Sequence, residues 1–402
     1  MHYGSRISLT FFIALAMLII FTGQGEGAFL GDTLKPFATI GEMYDSNIFR
    51  VKEQSQLPVG DNELDDFVTT VTVGTTLHYS ISQQELNLLL KKDFMFYKHY
   101  TDQNANQNEI SGNLGLVFLD MVKMRIDGSY KTYPEGHAYY QNNDVNIEKD
   151  STYGVSLGYE MPNGVGCEAA YRRAGVDYSL AEYIPNEYSV DTFTGTMSYR
   201  LSADSRIYAA YQRDDTGYNE DMFIGSTLVN NNSVADSMRL GLEKTVSPKT
   251  AVSCYIGYLD RRHNQAPGRD FSGMIGKVAA TYGVTGKLVL VLDGERQIYE
   301  ETWADWNYSI TNFLGTGLNY EITKKIKATF YNRLSWKDFQ VIPGAGVGRR
   351  SDFIHYMNIG LEWSPITGLT FGLGYQYSTQ SSNFNTYNFS DQIVRASVGY
   401  KF

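Results

Sequence analysis

Apolar and polar residues alternate along most of this chain. In Thr370-Phe371-Gly372-Leu373-Gly374-Tyr375-Gln376-Tyr377, the residues Phe371, Leu373, Tyr375 and Tyr377 share one parity and small or polar residues share the other. Successive side chains of an extended chain point to opposite faces, so this stretch is a strand with one greasy face and one small, polar face. Val122, Met124 and Ile126 alternate in the same way with Lys123, Arg125 and Asp127. Met238, Leu240 and Leu242 alternate with Arg239, Gly241 and Glu243, and Ile326, Ala328 and Phe330 with Lys327, Thr329 and Tyr331. Such segments run from 34–43 to 389–402. They number about eighteen, or sixteen to twenty if a hairpin is miscounted.

The breaks between segments fall into two alternating classes. Short ones at 80–83, 161–164, 246–249 and 364–367 carry Pro, Gly, Asn or Ser, the residues that set or tolerate turn dihedrals. Long ones lie at 44–65, 100–108, 134–149, 215–232 and 339–349. Short turns at one end and long loops at the other, with an even strand number, predict an all-β fold: a transmembrane antiparallel up-and-down β-barrel of about 18 strands with both termini in the periplasm. A soluble sandwich or propeller has no reason to keep that order.

Mean hydropathy is −0.30, and the chain contains 31 Tyr, 21 Phe and 38 Gly but only 9 Pro. A low mean is expected where half of each strand faces water, and aromatic residues suit a pleated surface. Residues 1–27 are set apart: one positive charge at Arg6, then the apolar run ISLTFFIALAMLIIF, then small and polar residues. This is the pattern of a cleaved signal peptide, and the run is too short to span a bilayer as a helix. A single outer-membrane barrel domain is expected over 28–402. In the last segment Val398, Tyr400 and Phe402 form an apolar stripe ending on an aromatic residue. That resembles the terminal strand by which barrel-insertion machinery recognises its clients.

Little points to catalysis. The histidines His78, His99, His137, His263 and His355 are scattered, with no tight Ser–His pairing and no HExxH or CxxC pattern. No enzyme activity, metal or cofactor is expected. His263-Asn264-Gln265 reads as a solvated loop tip. The net charge of −10 carries no basic stripe, which excludes nucleic acid as a partner. Cys167 and Cys254 lie inside segments and read as small wall residues.

With the apolar faces turned to lipid, the other parity lines a lumen. It offers Lys123, Arg125, Glu168, Arg172, Arg200, Arg206, Arg239, Glu243, Asp293, Glu295, Lys327, Arg333 and Arg395. Charges of one sign arranged in rings select ions, whereas a mixed wall pairs within itself, and internal pairing is the expectation for most of these. A barrel of this size is wide enough for an aqueous channel. Tyr139-Tyr140 and Asn142-Asn143-Asp144 combine aromatic faces with amide and acid groups, a composition suited to sugar rings and to a loop folded inward, and equally ordinary for an exposed loop.

Near the start of the first strand's loop stands Tyr44-Asp45-Ser46-Asn47-Ile48-Phe49-Arg50. A first strand running into this motif resembles the opening of the Putative beta-barrel porin 2 family. Asp45, Ser46 and Asn47 make a turn-prone strand end, with Tyr44 and Phe49 as candidate interface anchors. Barrels of that family are often associated with exopolysaccharide or capsule gene clusters. The resemblance therefore implies a conduit for polysaccharide export, working with periplasmic export proteins. A passive diffusion porin for small solutes is the alternative, and a non-conducting structural or adhesive barrel a further one.

Overall fold

A computed structural model describes residues 33–57, 63–118, 120–135, 145–224, 227–300, 306–341 and 348–402. The expected signal peptide, His137, Tyr139, Tyr140, Asn142, Asn143 and Asp144 lie outside the described residues. The strands are Leu34–Asp45 (β1), Asp66–Ile81 (β2), Gln84–Tyr97 (β3), Ala105–Phe118 (β4), Val122–Pro134 (β5), Ile147–Glu160 (β6), Val165–Tyr178 (β7), Tyr188–Ser202 (β8), Ser205–Tyr218 (β9), Met222–Ile224 (β10), Thr227–Val229 (β11), Ser233–Ser247 (β12), Thr250–His263 (β13), Phe271–Gly283 (β14), Leu288–Glu300 (β15), Trp306–Thr323 (β16), Ile326–Val341 (β17), Ser351–Ile366 (β18), Leu369–Ser382 (β19) and Phe389–Lys401 (β20).

Eighteen of these form one sheet in which each strand pairs antiparallel with the next, β12 following β9. β1 pairs with both β2 and β20. The sheet therefore closes on itself as an up-and-down barrel without a free edge. β10 and β11 form a small hairpin of their own in the connection between β9 and β12.

Parity sorts the side chains. Leu157, Met197, Met238, Leu240 and Leu373 stand 54–69% exposed on the outer face. Large apolar side chains in a continuous outward band suit hydrocarbon and not water. The free thiols Cys167 and Cys254 share that face, opposite the outward Tyr159 and Leu242. The inner parity is smaller and more polar, and some of it is shaped by close approach. A Cβ on Gly241 would lie 2.2–2.5 Å from the ring of Tyr208, so only glycine lets that tyrosine lie across β12.

The short turns and both described chain ends share one end of the barrel. There the Phe402 N–H donates to Pro36 O at 2.9 Å. Gly368, with φ +85°, makes the last of these turns, and a Cβ there would meet Lys401 O at 2.5 Å. Ser82 and Asp120 adopt φ 55° and 58° in two others, a left-handed conformation that short polar residues tolerate best. The longer connections gather at the opposite end, where the short 3-10 turns Thr101–Gln103, Ala181–Asn186, Pro267–Arg269 and Asn385–Tyr387 lie. The first is the terminal end of the barrel and the second its loop end.

Candidate functional site

The lumen is the site, and its two ends differ. At the terminal end a cavity of about 850 Å³ opens inside the wall formed by β5–β9 and β12–β15. Its polar lining includes Lys123, Glu160, Glu168, Arg200, Arg206 and Glu243. Each projects from the inner parity of its strand, between small neighbours such as Gly158, Gly166 and Ala251. Arg200 pairs with Glu160 at 2.6 Å and Arg206 with Glu243 at 2.7 Å. Both pairs are about half exposed, so they are weak and their charges stay open to a passing solute.

The remaining inward charges are spread around the wall. Arg125 lies 3.6 Å from Asp127, and Glu295 lies 3.7 Å from Lys277. Asp293 accepts a hydrogen bond from the Tyr331 hydroxyl at 3.0 Å. Lys327 stands opposite Glu362 and Glu321 in register. Arg333 covers the Phe313 ring at 4.0 Å and donates to Ser335 Oγ at 3.2 Å. Arg239 lies 5.4 Å from the Tyr255 ring, and Arg395 donates to Gln376 Oε1 at 3.3 Å. Arg172 has no carboxylate within ion-pair distance among the described residues. The structure thus brings Lys123, Glu168, Arg200, Arg206 and Glu243 to one cavity and leaves the others at separate stations.

At the loop end, segments fold inward and pack. The motif from Tyr44 to Arg50 is one of them. Asp45 accepts the Asn47 N–H at 2.9 Å and both terminal nitrogens of Arg50 at 3.0 Å. Asn47 donates to Val51 O at 2.7 Å and to Ser390 O at 3.0 Å. Ser46 accepts the Gln392 N–H at 2.8 Å, and its hydroxyl donates to Asp391. These bonds tie the exit of β1 to the entry of β20. Ile48 and Phe49 then bury against Val68, Tyr97 and Tyr100, Phe49 meeting Tyr100 edge-on at 4.9 Å. Phe49 is 3% exposed, so it is a core residue and not an interface anchor. Arg50, the next residue, takes a left-handed turn with φ 53°. Tyr44 stays on the outer parity beside Phe67, with ring centroids 5.0 Å apart.

A second knot centres on Glu300. The pairing of β14 with β15 stops at Gly276 and Arg296, although both strands continue beyond it. Above that point Gln297–Glu300 stay paired to β16 but leave β14 and cross to the inside. Ile298 packs with Leu259, Phe271 and Ile275 on the inner face of β13 and β14. Glu300 accepts from Arg261 at 2.8 Å and from Asn231 at 2.5 Å, and lies 3.3 Å from His263 Nε2. His263 is 7% exposed, so it is not a solvated loop tip. The inward-bent strand covers it, and its own N–H donates to Asp270 at 2.7 Å.

The third knot holds Arg350. Its guanidinium pairs with Asp352 at 2.5 Å and lies 3.4 Å from the Tyr387 ring centroid and 4.2 Å from that of Phe339. Trp306, from the start of β16, closes the cluster and donates to Gly348 O at 3.3 Å. A buried cation is tolerable when a carboxylate and aromatic faces surround it. Arg269 also donates to Asn231 Oδ1 at 2.6 Å, and none of Glu300, Asn231, Arg269 and Arg350 stands out in the sequence, because most of their partners come from distant segments.

The chain resembles solved structures in fold. It matches the crystal structure of Pseudomonas aeruginosa OccK9 (OpdG) at TM-score 0.51 and 11% identity, over 94% of this chain and 100% of that one. Acinetobacter baumannii OccAB2 matches at TM-score 0.50 and 11% identity, over 94% and 99% of the two chains. At such identity the likeness is one of fold alone. No curated protein matches the sequence. A family model does, over residues 22–402: the chain belongs to the Putative beta-barrel porin 2 family, and is an outer-membrane β-barrel porin.

Proposed function

We propose that this porin is a diffusion channel for small polar or charged solutes, set in the outer membrane with its terminal end in the periplasm. The observation that carries this reading is the shape and chemistry of the bore. A vestibule of about 850 Å³ presents Lys123, Glu168, Arg200, Arg206 and Glu243 together, while the Glu300 and Arg350 knots fill part of the loop end from the inner wall. A path with both signs of charge suits small ions and zwitterions, which exchange water for weak, transient pairs.

The comparisons offer no support for polysaccharide export. That expectation rested on the motif at Tyr44–Phe49, and there the polar side chains bind the barrel seam: Asp45 and Asn47 are each 4% exposed. The partners that remain in this proposal are outer-membrane lipid around the apolar band and the insertion machinery at the Phe402 strand.

Reconstitution tests the proposal. In planar bilayers the purified porin should give discrete conductance steps, and proteoliposomes should swell in isotonic solutions of small solutes but not of oligosaccharides. A barrel silent at every voltage, with no swelling, would sink the diffusion reading. Loss of surface polysaccharide in a deletion strain would revive export.

A further inference from the structure

We propose that the end of β15, Gln297–Glu300, is a hinged segment that exchanges between the lumen and the barrel wall, and so sets the bore. The inference rests on the diffusion reading above, and its first test does not depend on it.

The strand pattern is written for the wall. Leu290 and Leu292 face outward, 38% and 42% exposed, and Ile298 continues their parity. Extending the β14–β15 register one step at a time from Gly276 opposite Arg296 puts Met274 opposite Ile298, Gly273 opposite Tyr299 and Ser272 opposite Glu300. In that arrangement Ile298 joins the outward stripe beside Met274, itself 48% exposed on that face. Glu300 would reach the outer rim, where Arg262 already stands exposed. Nothing in the sequence of either strand forbids the zipped wall, since neither 271–276 nor 296–300 contains proline.

The structure shows the other arrangement. Ile298 is 7% exposed inside, and Glu300 is held by Arg261, Asn231 and His263. At the branch point Arg296 Nε donates to Met274 O at 3.1 Å, standing in for a missing strand neighbour, while Nη1 donates to Asn312 at 3.0 Å. Within the curled segment and its partner strand, Gln297 Oε1 and Thr311 Oγ1 are buried without a hydrogen-bond partner among the described residues. Each arrangement therefore leaves something unmade. The curled one gives up backbone pairing and strands two polar atoms, and the zipped one gives up the Glu300 contacts and the Ile298 packing. An element with two such packings is a gate, and Glu300 is its latch.

Disulfide trapping reads the zipped state directly. With Cys167 and Cys254 replaced by Ser, Met274→Cys and Ile298→Cys would be directly opposed in the zipped ladder, within the Cα spacing a disulfide needs. In the curled structure they lie on opposite faces of β14. Tyr282→Cys with Leu290→Cys, already opposed, serves as the positive control. Mild oxidation of the folded porin in liposomes should cross-link the test pair. Adding Glu300→Gln should raise that rate at least about tenfold, the change about 1.4 kcal/mol produces. The cross-linked porin should conduct more per channel, and reductant should reverse this. Failure of the test pair to cross-link in either background, while the control does and the barrel remains folded by gel mobility, overturns the proposal. So does a cross-link that leaves the conductance of an otherwise active channel unchanged. A parent porin that never conducts defeats the diffusion reading and leaves the cross-linking result to stand by itself.

Discussion

Arg50 bridges two carboxylates from opposite ends of the chain: it grips Asp45 at the exit of β1, at 3.0 Å, and reaches Asp391 near the start of β20 at 3.3 Å. Asp391 is fully buried at its side chain and Asp45 nearly so. Removing the cation would leave two acids facing each other in a dry site. Arg50→Ala should therefore destabilise the barrel by about 3–5 kcal/mol, the usual cost of stripping one partner from a buried charge network. Arg50→Lys should recover only part, because an ammonium cannot serve both acids with a planar fork. Urea midpoints of the refolded barrel check this, and an unchanged midpoint for the alanine variant would contradict it.

Phe49 and Tyr44 should respond differently. Phe49→Ala opens a cavity against Val68, Tyr97 and Tyr100 and should cost about 3 kcal/mol or more in any detergent or lipid. Tyr44→Ala removes an outward ring beside Phe67, so its smaller cost should vary with the lipid. Equal, lipid-dependent losses for both variants would restore Phe49 as an interface anchor.

The pair Arg206–Glu243 faces the cavity at 2.7 Å with both side chains about half exposed. Stability should change by less than about 1 kcal/mol when either is neutralised. Selectivity should change more. Arg206→Ala should move the reversal potential in a salt gradient toward cation preference, and Glu243→Gln toward anion preference. Shifts of the same sign for both would show that neither charge meets the permeating ion.

Orientation is testable in intact cells. In a background lacking Cys167 and Cys254, Thr386→Cys at the loop end should react with an impermeant maleimide added outside. Lys249→Cys, in a short turn, should react only after the outer membrane is opened. The reverse pattern would place the terminal end outside.

Much of the wall was legible in the sequence because period-2 alternation reports a local property. Each strand must choose which face meets lipid, and that choice shows residue by residue. Parity alone therefore puts Lys123, Glu168, Arg200, Arg206 and Glu243 on one inner surface. The loop end is different in kind. Ile48 and Phe49 look like any aromatic or aliphatic loop residues until Val68, Tyr97 and Tyr100 are brought beneath them. His263 looks exposed until Glu300 arrives from another hairpin. The alternation through Leu290, Leu292 and Ile298 even points away from the observed fold, since it describes a strand in the wall. Contacts between distant segments leave no local periodicity to read.

The pairing of β1 with β20 also orders events in time. β1 and β20 lie at opposite ends of the described chain, so their pairing brings together the two most distant strands of the barrel. Every other ladder in the barrel joins neighbouring segments and costs little loop entropy to form, whereas this one closes a loop as long as the domain. Folding should then end in a single slow cyclisation. The Asp45–Arg50–Asp391 contact, made only when those two strands meet, is a buckle fastened at that last step.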